Sequence, residues 1–186
     1  MTGGSMRLLD LGKHRRARLW IGDLPDAACQ SVNAVKHSIS ASRNIQDGLR
    51  LAAIEVLVPL GGRSIYGLLG GEFRPDSTNR LDVDVFVASA AGPPFASNLA
   101  TQTDKVRVGL PAEYVEGVLG GVALAKGELD RLAAGKLLIN CAAHGEIGSC
   151  EVVFKHLALA LVKLFNREGQ ALSDEELISL FPSTFS

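Results

Sequence analysis

The sequence is poor in the residues that staple small folds or build metal centres. Its three cysteines, Cys29, Cys141 and Cys150, form an odd set with no close pair and no Cys-x-x-Cys spacing. Neither a disulfide framework nor a zinc site is indicated. No apolar run reaches the roughly 18–20 residues that a membrane span needs, and the first residues carry no apolar stretch of the signal-peptide kind. The expectation is a cytoplasmic protein with reduced, mostly buried thiols and no membrane partner. A phosphate-cradling Gly-x-x-x-x-Gly-Lys-Ser/Thr run is also missing, which excludes a P-loop nucleotidase. Basic excess is absent as well: the net charge is −1, whereas dedicated nucleic-acid-binding domains must displace counterions with clustered cations. Any contact with nucleic acid must therefore be local.

What the chain does have is enough apolar material for one substantial core. Its 186 residues are 47% hydrophobic and 21% charged, the profile of an ordinary globular protein. The densest basic run is Lys13, His14, Arg15, Arg16 and Arg18, followed directly by Leu19, Trp20 and Ile21. A run of this kind is either a solvated face or a contact for an anionic partner.

Apolar spacing outlines the elements. A short strand is expected over 18–21, ended by the turn-prone Gly22-Asp23-Leu24-Pro25. Asp26 can cap a helix over 27–38. Over 45–60, Leu49, Ala52 and Ala53 share a helical face before the β-branched Ile54, Val56 and Val58, which predicts helix followed by strand. Residues 65–73 read as a strand whose Gly67, Gly70 and Gly71 suggest a bulge or a close backbone neighbour. After the turn cluster 74–79, Leu81, Val83, Val85 and Val87 alternate with Asp82, Asp84 and Phe86 in the clearest strand of the chain. A loop opens at Ala91-Gly92-Pro93-Pro94, and 105–108 supply another short strand.

Pro111 introduces a helix over 112–126, in which Val115, Val118, Leu119 and Val122 recur at helical spacing. Its three interior glycines imply close packing against another element. A strand over 136–142 and a strongly apolar helix over 150–166, capped by Ser149, come next. Ser173-Asp174-Glu175-Glu176 is a capping box for a last short helix that ends before Pro182. The order predicts an α+β fold: a mixed sheet with helices packed on one face.

Three runs, in order, resemble domain IV of translation elongation factor G. Gly61-Gly62-Arg63-Ser64-Ile65-Tyr66-Gly67 is similar to that family's Gly-Gly-Arg-Gly-Gln-Tyr-Gly. Leu110-Pro111-Ala112-Glu113-Tyr114-Val115, with Val118, Gly121 and Val122, resembles its helix opening of apolar-Pro-x-Glu-Tyr-apolar. His144-Gly145-Glu146-Ile147-Gly148-Ser149-Cys150-Glu151, with Phe154-Lys155, resembles its His-Asp-Val-Asp-Ser-Ser-Glu and Phe-Lys, with Gly145 and Gly148 standing for the two aspartates. The runs span 104 of 186 residues, from Gly61 to Leu164.

The resemblance implies a ribosomal protein S5 domain 2-like fold over 61–166, with residues 1–60 as an N-terminal extension of the same compact unit and 167–186 as a short helix and tail. It also implies that the 61–67 and 144–148 loops form one tip that contacts RNA or a ribonucleoprotein. The contacts implied are Arg63, Ser64, Tyr66, His144 and Gly145, with arginine suited to phosphate and the rings to base stacking. On this reading the chain is a non-catalytic binding module without cofactor or metal.

Two alternatives stand beside it. A small-molecule enzyme would use a pocket near His144 and the Asp82/Asp84 pair, which shares one strand face and lacks a third ligand for Mg²⁺. A homo-oligomeric assembly subunit would use the apolar 150–166 helix as an interface. Ser149, Cys150 and Lys155 resemble a nucleophile and base in composition, but helical spacing separates the lysine from the other two. Glu113 and Tyr114 read as a helix-start carboxylate and a packing ring.

Overall fold

The computed structural model describes residues 4–43, 48–167 and 172–182. Its eight strands are β1 (Ser5–Gly12), β2 (Arg15–Ile21), β3 (Asn33–Ser40), β4 (Arg50–Leu60), β5 (Arg63–Pro75), β6 (Arg80–Val87), β7 (Val106–Val108) and β8 (Gly135–Gly145). Three helices accompany them: α1 (Val115–Glu128), entered through a 3-10 turn at Ala112–Tyr114, α2 (Glu151–Asn166) and α3 (Asp174–Ile178). One mixed sheet runs β1-β2-β4-β5-β8-β6-β3, with β7 paired to β8. Of these strands only β6 and β8 pair in parallel, and α1 lies on the connection between them. The α+β class expected from the sequence is what forms.

Two layers cover the sheet. On one face Leu19, Ile54, Val56, Leu69 and Ile139 pack against α1 and α2. On the other, Trp20, Leu57, Tyr66, Leu68 and Cys141 are roofed by Phe95, Ala100, Val106 and Val108. Covered on both sides, β4 is buried without a break from Ala52 to Val58. That explains why it reads as a continuous apolar run rather than an alternating one.

The helix expected at the start of 45–60 is therefore corrected. Residues 45–47 lie outside the described residues, and Arg50 onward is strand, paired along its length with β5 and, over Ala52 to Leu57, with β2. The apparent helical face of Leu49, Ala52 and Ala53 is two-sided burial. The helix expected over 27–38 is corrected too. Ala28 bridges Cys141, the Cys29 N–H donates to the Asn140 carbonyl at 2.8 Å, and Asn33–Ser40 adds an edge strand to β6. Ladder hydrogen bonds outweigh the weak helical propensity of a short alanine-containing stretch.

β1 (Ser5–Gly12) is not among the expected strands and β5 runs on into the expected turn as far as Pro75, whereas β6, α1, β8, α2 and α3 lie close to where the spacing puts them. The register slips between Gly70 and Gly71 opposite β8, and a Cβ at Gly71 would meet the Leu138 carbonyl. Residue 60 falls within the β4–β5 hairpin, so the first 60 residues contribute four strands to the common sheet. The α2 side chains from Leu157 to Val162 are buried within this single chain, so its apolar character is that of a core helix. Ser173 caps α3 through the full reciprocal box with Glu176. Arg7 ties β1 to this segment by donating to the Leu172 carbonyl at 2.5 Å.

The two long helices approach closely at Gly117 and Gly121, where no further side-chain atom fits. A Cβ at Gly121 would collide with the Lys155 carbonyl and lie 2.8 Å from the Ala158 methyl. By contrast, nothing lies within 4 Å of a Cβ built at Gly127. Gly121→Ala is therefore expected to cost about 1–3 kcal/mol of stability through overpacking. Gly127→Ala is expected to gain up to about 1 kcal/mol from helix propensity. Urea denaturation of the two variants checks the opposite signs.

Candidate functional site

Register gathers distant sequence at one end of the sheet. Arg16 pairs with Leu57, Leu60 with Arg63, and Leu68 with Ala143. The β1–β2 turn, the β4–β5 turn and the loop leaving β8 consequently share an end. The loop before β7 joins them, since the Glu146 N–H donates to the Lys105 carbonyl at 2.9 Å. Lys13, His14, Arg16, Arg63 and Lys105 are all exposed there, beside Asp10 and Glu146. The acid Glu146 is engaged by Arg107 at 2.8 Å.

A circuit of hydrogen bonds holds this end together. The Asp104 carboxylate accepts the Gly148 N–H at 2.7 Å, the Ile147 N–H at 3.2 Å and its neighbour Lys105 N–H at 2.7 Å. The Gly148 carbonyl accepts the Tyr66 N–H at 3.0 Å. The Tyr66 hydroxyl donates to Glu55 Oε1 at 2.9 Å, and that oxygen also accepts the Leu99 N–H at 2.8 Å. Leu99 leads back to Asp104 through a turn in which the Asp104 N–H donates to the Ala100 carbonyl at 2.9 Å.

Glu55 is the anchor of the circuit and is fully buried. Its second oxygen accepts the Arg18 Nε–H at 2.8 Å, and Arg18 Nη2 stands 2.6 Å from it in an ion pair. Burial pushes the Glu55 carboxyl up, opposed by the Leu99 N–H, the Arg18 charge and the Tyr66 hydroxyl. With both oxygens filled by donors, the ionised form is the one that fits. Burial and the Glu55 charge hold the Tyr66 hydroxyl well above its ordinary range, so it stays a donor.

The expected contact residues separate into two groups. Arg63 is exposed on the tip, and Ser64 beside it is half-buried. A Cβ at Gly148 would strike the Ser64 carbonyl, so the two loops touch through their main chains. Tyr66 and His144, however, are interior, at 0% and 4% exposure. His144 Nδ1 lies 2.9 Å from the Gly109 carbonyl and Nε2 3.2 Å from that of Ala90. Neither ring can stack on a base, because each is committed inside the fold. Gly145 is also buried, with its N–H donating to the Ser149 hydroxyl at 2.9 Å.

Ser149 does not cap α2, which begins after Cys150 without a side-chain cap. Its hydroxyl donates instead to the Tyr66 carbonyl at 2.7 Å, stapling β5 to the loop. Asp82 and Asp84 stand elsewhere, paired with Arg80 at 3.9 Å and Lys136 at 3.3 Å. Asp84 is level with Leu138, about 20 Å along β8 from His144 at strand rise. At that separation His144 and the two aspartates do not converge on one site. Burial pushes the Cys29 thiol up to about 11 and the Cys141 thiol up to about 12, which leaves both as inert core groups at neutral pH.

Two open hollows lie on this end. One, of about 350 Å³, is lined by Gly61, Gly62, Arg63, Ser64, Thr103 and Ile147 among others. A second, of about 870 Å³, lies beside it over β1, β2 and β4. Main chain is accessible in the first, since nothing lies within 4 Å of a Cβ built at Gly61 or Gly62. Among the described residues, no group of three or more His, Cys, Asp or Glu side chains is placed to hold a metal, and no helix is long and apolar enough to cross a membrane.

Glu55 and Asp104 escape a motif-based reading of the sequence. For Glu55 there was a signal: one carboxylate inside the apolar run from Leu51 to Val58 implies a buried partner. For Asp104 there was none, as its partners are main-chain groups 43 and 44 residues away. In comparisons with known proteins, the chain matches no family model, no curated protein and no solved structure.

The circuit makes Tyr66 a structural residue. Tyr66→Phe leaves a Glu55 oxygen short of a donor and is expected to cost about 1–3 kcal/mol. Arg18→Met strands the carboxylate and is expected to cost about 3–5 kcal/mol. Chemical denaturation measures both, and an unchanged midpoint in either variant contradicts the circuit.

Proposed function

We propose that this chain is a non-catalytic binding module that contacts RNA, or the RNA face of a ribonucleoprotein, through the tip made by the β4–β5 turn and the loop leaving β8. The carrying observation is the knitting of those two loops into one surface that displays Arg63 beside two bare glycines. A guanidinium provides paired donors for a phosphate, and side-chain-free backbone lets phosphate oxygens approach main-chain N–H groups. Asp104 lines the same hollow, and its carboxylate is engaged there by three main-chain N–H groups that hold the tip.

The scaffold we assign is the ribosomal protein S5 domain 2-like fold, of which domain IV of elongation factor G is one member. The neighbour order β4-β5-β8-β6, the parallel pairing of β6 with β8 and the two long helices on one face support that assignment. Within this reading the contact set is narrower than the motif implies. Arg63, the main chain of Gly61 and Gly62, and the exposed Ile147 can meet a partner. Tyr66, His144 and Gly145 support them from behind.

Fluorescence anisotropy with labelled RNA, at about 50 mM and 200 mM salt, tests the proposal. Affinity is expected to fall as salt rises, with a logarithmic slope set by the number of phosphates neutralised. Arg63→Ala is expected to weaken binding about tenfold, the loss of one charge-assisted contact. Asp82→Asn, at a distant paired site, should leave binding intact. Absence of binding at the lower salt removes the reading.

A further inference from the structure

The second hollow owes its cations to an uncommon turn. Lys13 and His14 form the apex of the β1–β2 hairpin with φ of 53° and 65°, the only non-glycine residues of positive φ among the described residues. Two-residue hairpins with both central φ values positive strongly favour Asn-Gly. Retaining two basic side chains in a conformation that suits other residues points to a role outside folding. Both line the 870 Å³ hollow, together with the exposed Arg16.

Between those cations lies apolar surface: Leu8, which is 59% exposed, with the half-buried Pro59. The carboxylate on this hollow, Asp10, accepts the Gly12 N–H at 2.8 Å and so serves the turn, and the one on the Arg63 hollow, Asp104, accepts main-chain N–H groups. Ser64 and Thr103 line this hollow and the Arg63 hollow alike, so the two adjoin across a shared wall. Together the adjoining hollows make a groove with cations on each and Leu8 and Pro59 as apolar surface.

We propose that this groove holds a single strand of RNA, its phosphates taken by the Lys13/His14/Arg16 end and by Arg63, and its unstacked bases laid on Leu8 and Pro59. The inference rests on the RNA-binding reading of the tip and extends it to a second site and a strand state. An RNA duplex keeps its bases in the stack and presents a convex phosphate surface, which leaves the apolar surface unmatched. A single strand exposes phosphate and base face together, the combination that the groove offers.

The decisive variant is Lys13→Asn with His14→Gly, which gives the turn its preferred residues and removes both cations. It is expected to melt at a higher temperature than the parent, so weaker binding cannot be laid to misfolding. Anisotropy with a labelled oligouridylate of about eight nucleotides, and with a duplex RNA of equal length, reads the outcome. Single strand is expected to bind at least about tenfold tighter than duplex, and the turn variant to lose about tenfold for the single strand. Equal or tighter duplex binding overturns the inference. So does full affinity in the turn variant when Arg63→Ala loses affinity, a result that leaves the tip reading standing. No binding of either RNA at low salt overturns both.

Discussion

The Glu55 carboxylate is the constraint from which the tip is built. A charge taken fully out of water costs several kcal/mol unless its lone pairs are filled. Here three donors fill them, from β2, β5 and the loop after Ser97: Arg18 Nε, the Tyr66 hydroxyl and the Leu99 N–H, with the Arg18 charge beside them. The cost of an incomplete set forces those three segments into register. Arg18 extends the effect by also donating to the Ser97 carbonyl at 2.8 Å. The segment leading to β7 carries little regular structure, yet it has a fixed place over the sheet.

That fixed place determines what the tip can present. Thr103 and Asp104 sit at the end of the anchored segment, and Asp104 organises the Glu146–Gly148 turn by accepting its N–H groups. Gly148 returns the connection to Tyr66, so β5 is held from both its main chain and its hydroxyl. Interior groups thus do the positioning, while Arg63 and Ile147 remain outside. A surface held this way binds without first ordering a loop, which spares the affinity that ordering consumes.

The legible parts of this fold are those whose pattern is local. β6 alternates cleanly because one face of it is buried and the other meets Arg80 and Lys136. The α3 capping box needs only four consecutive residues, and the glycines of α1 announce close packing wherever it falls. β3 and β4 are illegible for opposite reasons. β3 is an edge strand with a single partner and little burial, and β4 is buried on both faces, so neither shows a period of two. The motif around Tyr66 and His144 marks a place in the chain but not a direction. Strand parity sets Tyr66 on the same side as Leu68, inside the roofed face, and only the pairing partners reveal which side that is.

Net charge of −1 and an RNA contact are compatible because the cations are pooled by topology rather than by composition. Lys13 and Arg63 are fifty residues apart in sequence and stand on hollows that share a wall. Long-range steering toward a polyanion is weak for such a molecule, since the remaining charges balance within a Debye length or two. In the proposed groove, affinity for RNA would have to arise at contact range, from phosphate pairing combined with burial of apolar surface. Contact-range binding rewards fit, and a concave groove fits a strand whose bases are free. A near-neutral chain with segregated cations is therefore better suited to choosing among RNA shapes than to holding RNA indiscriminately.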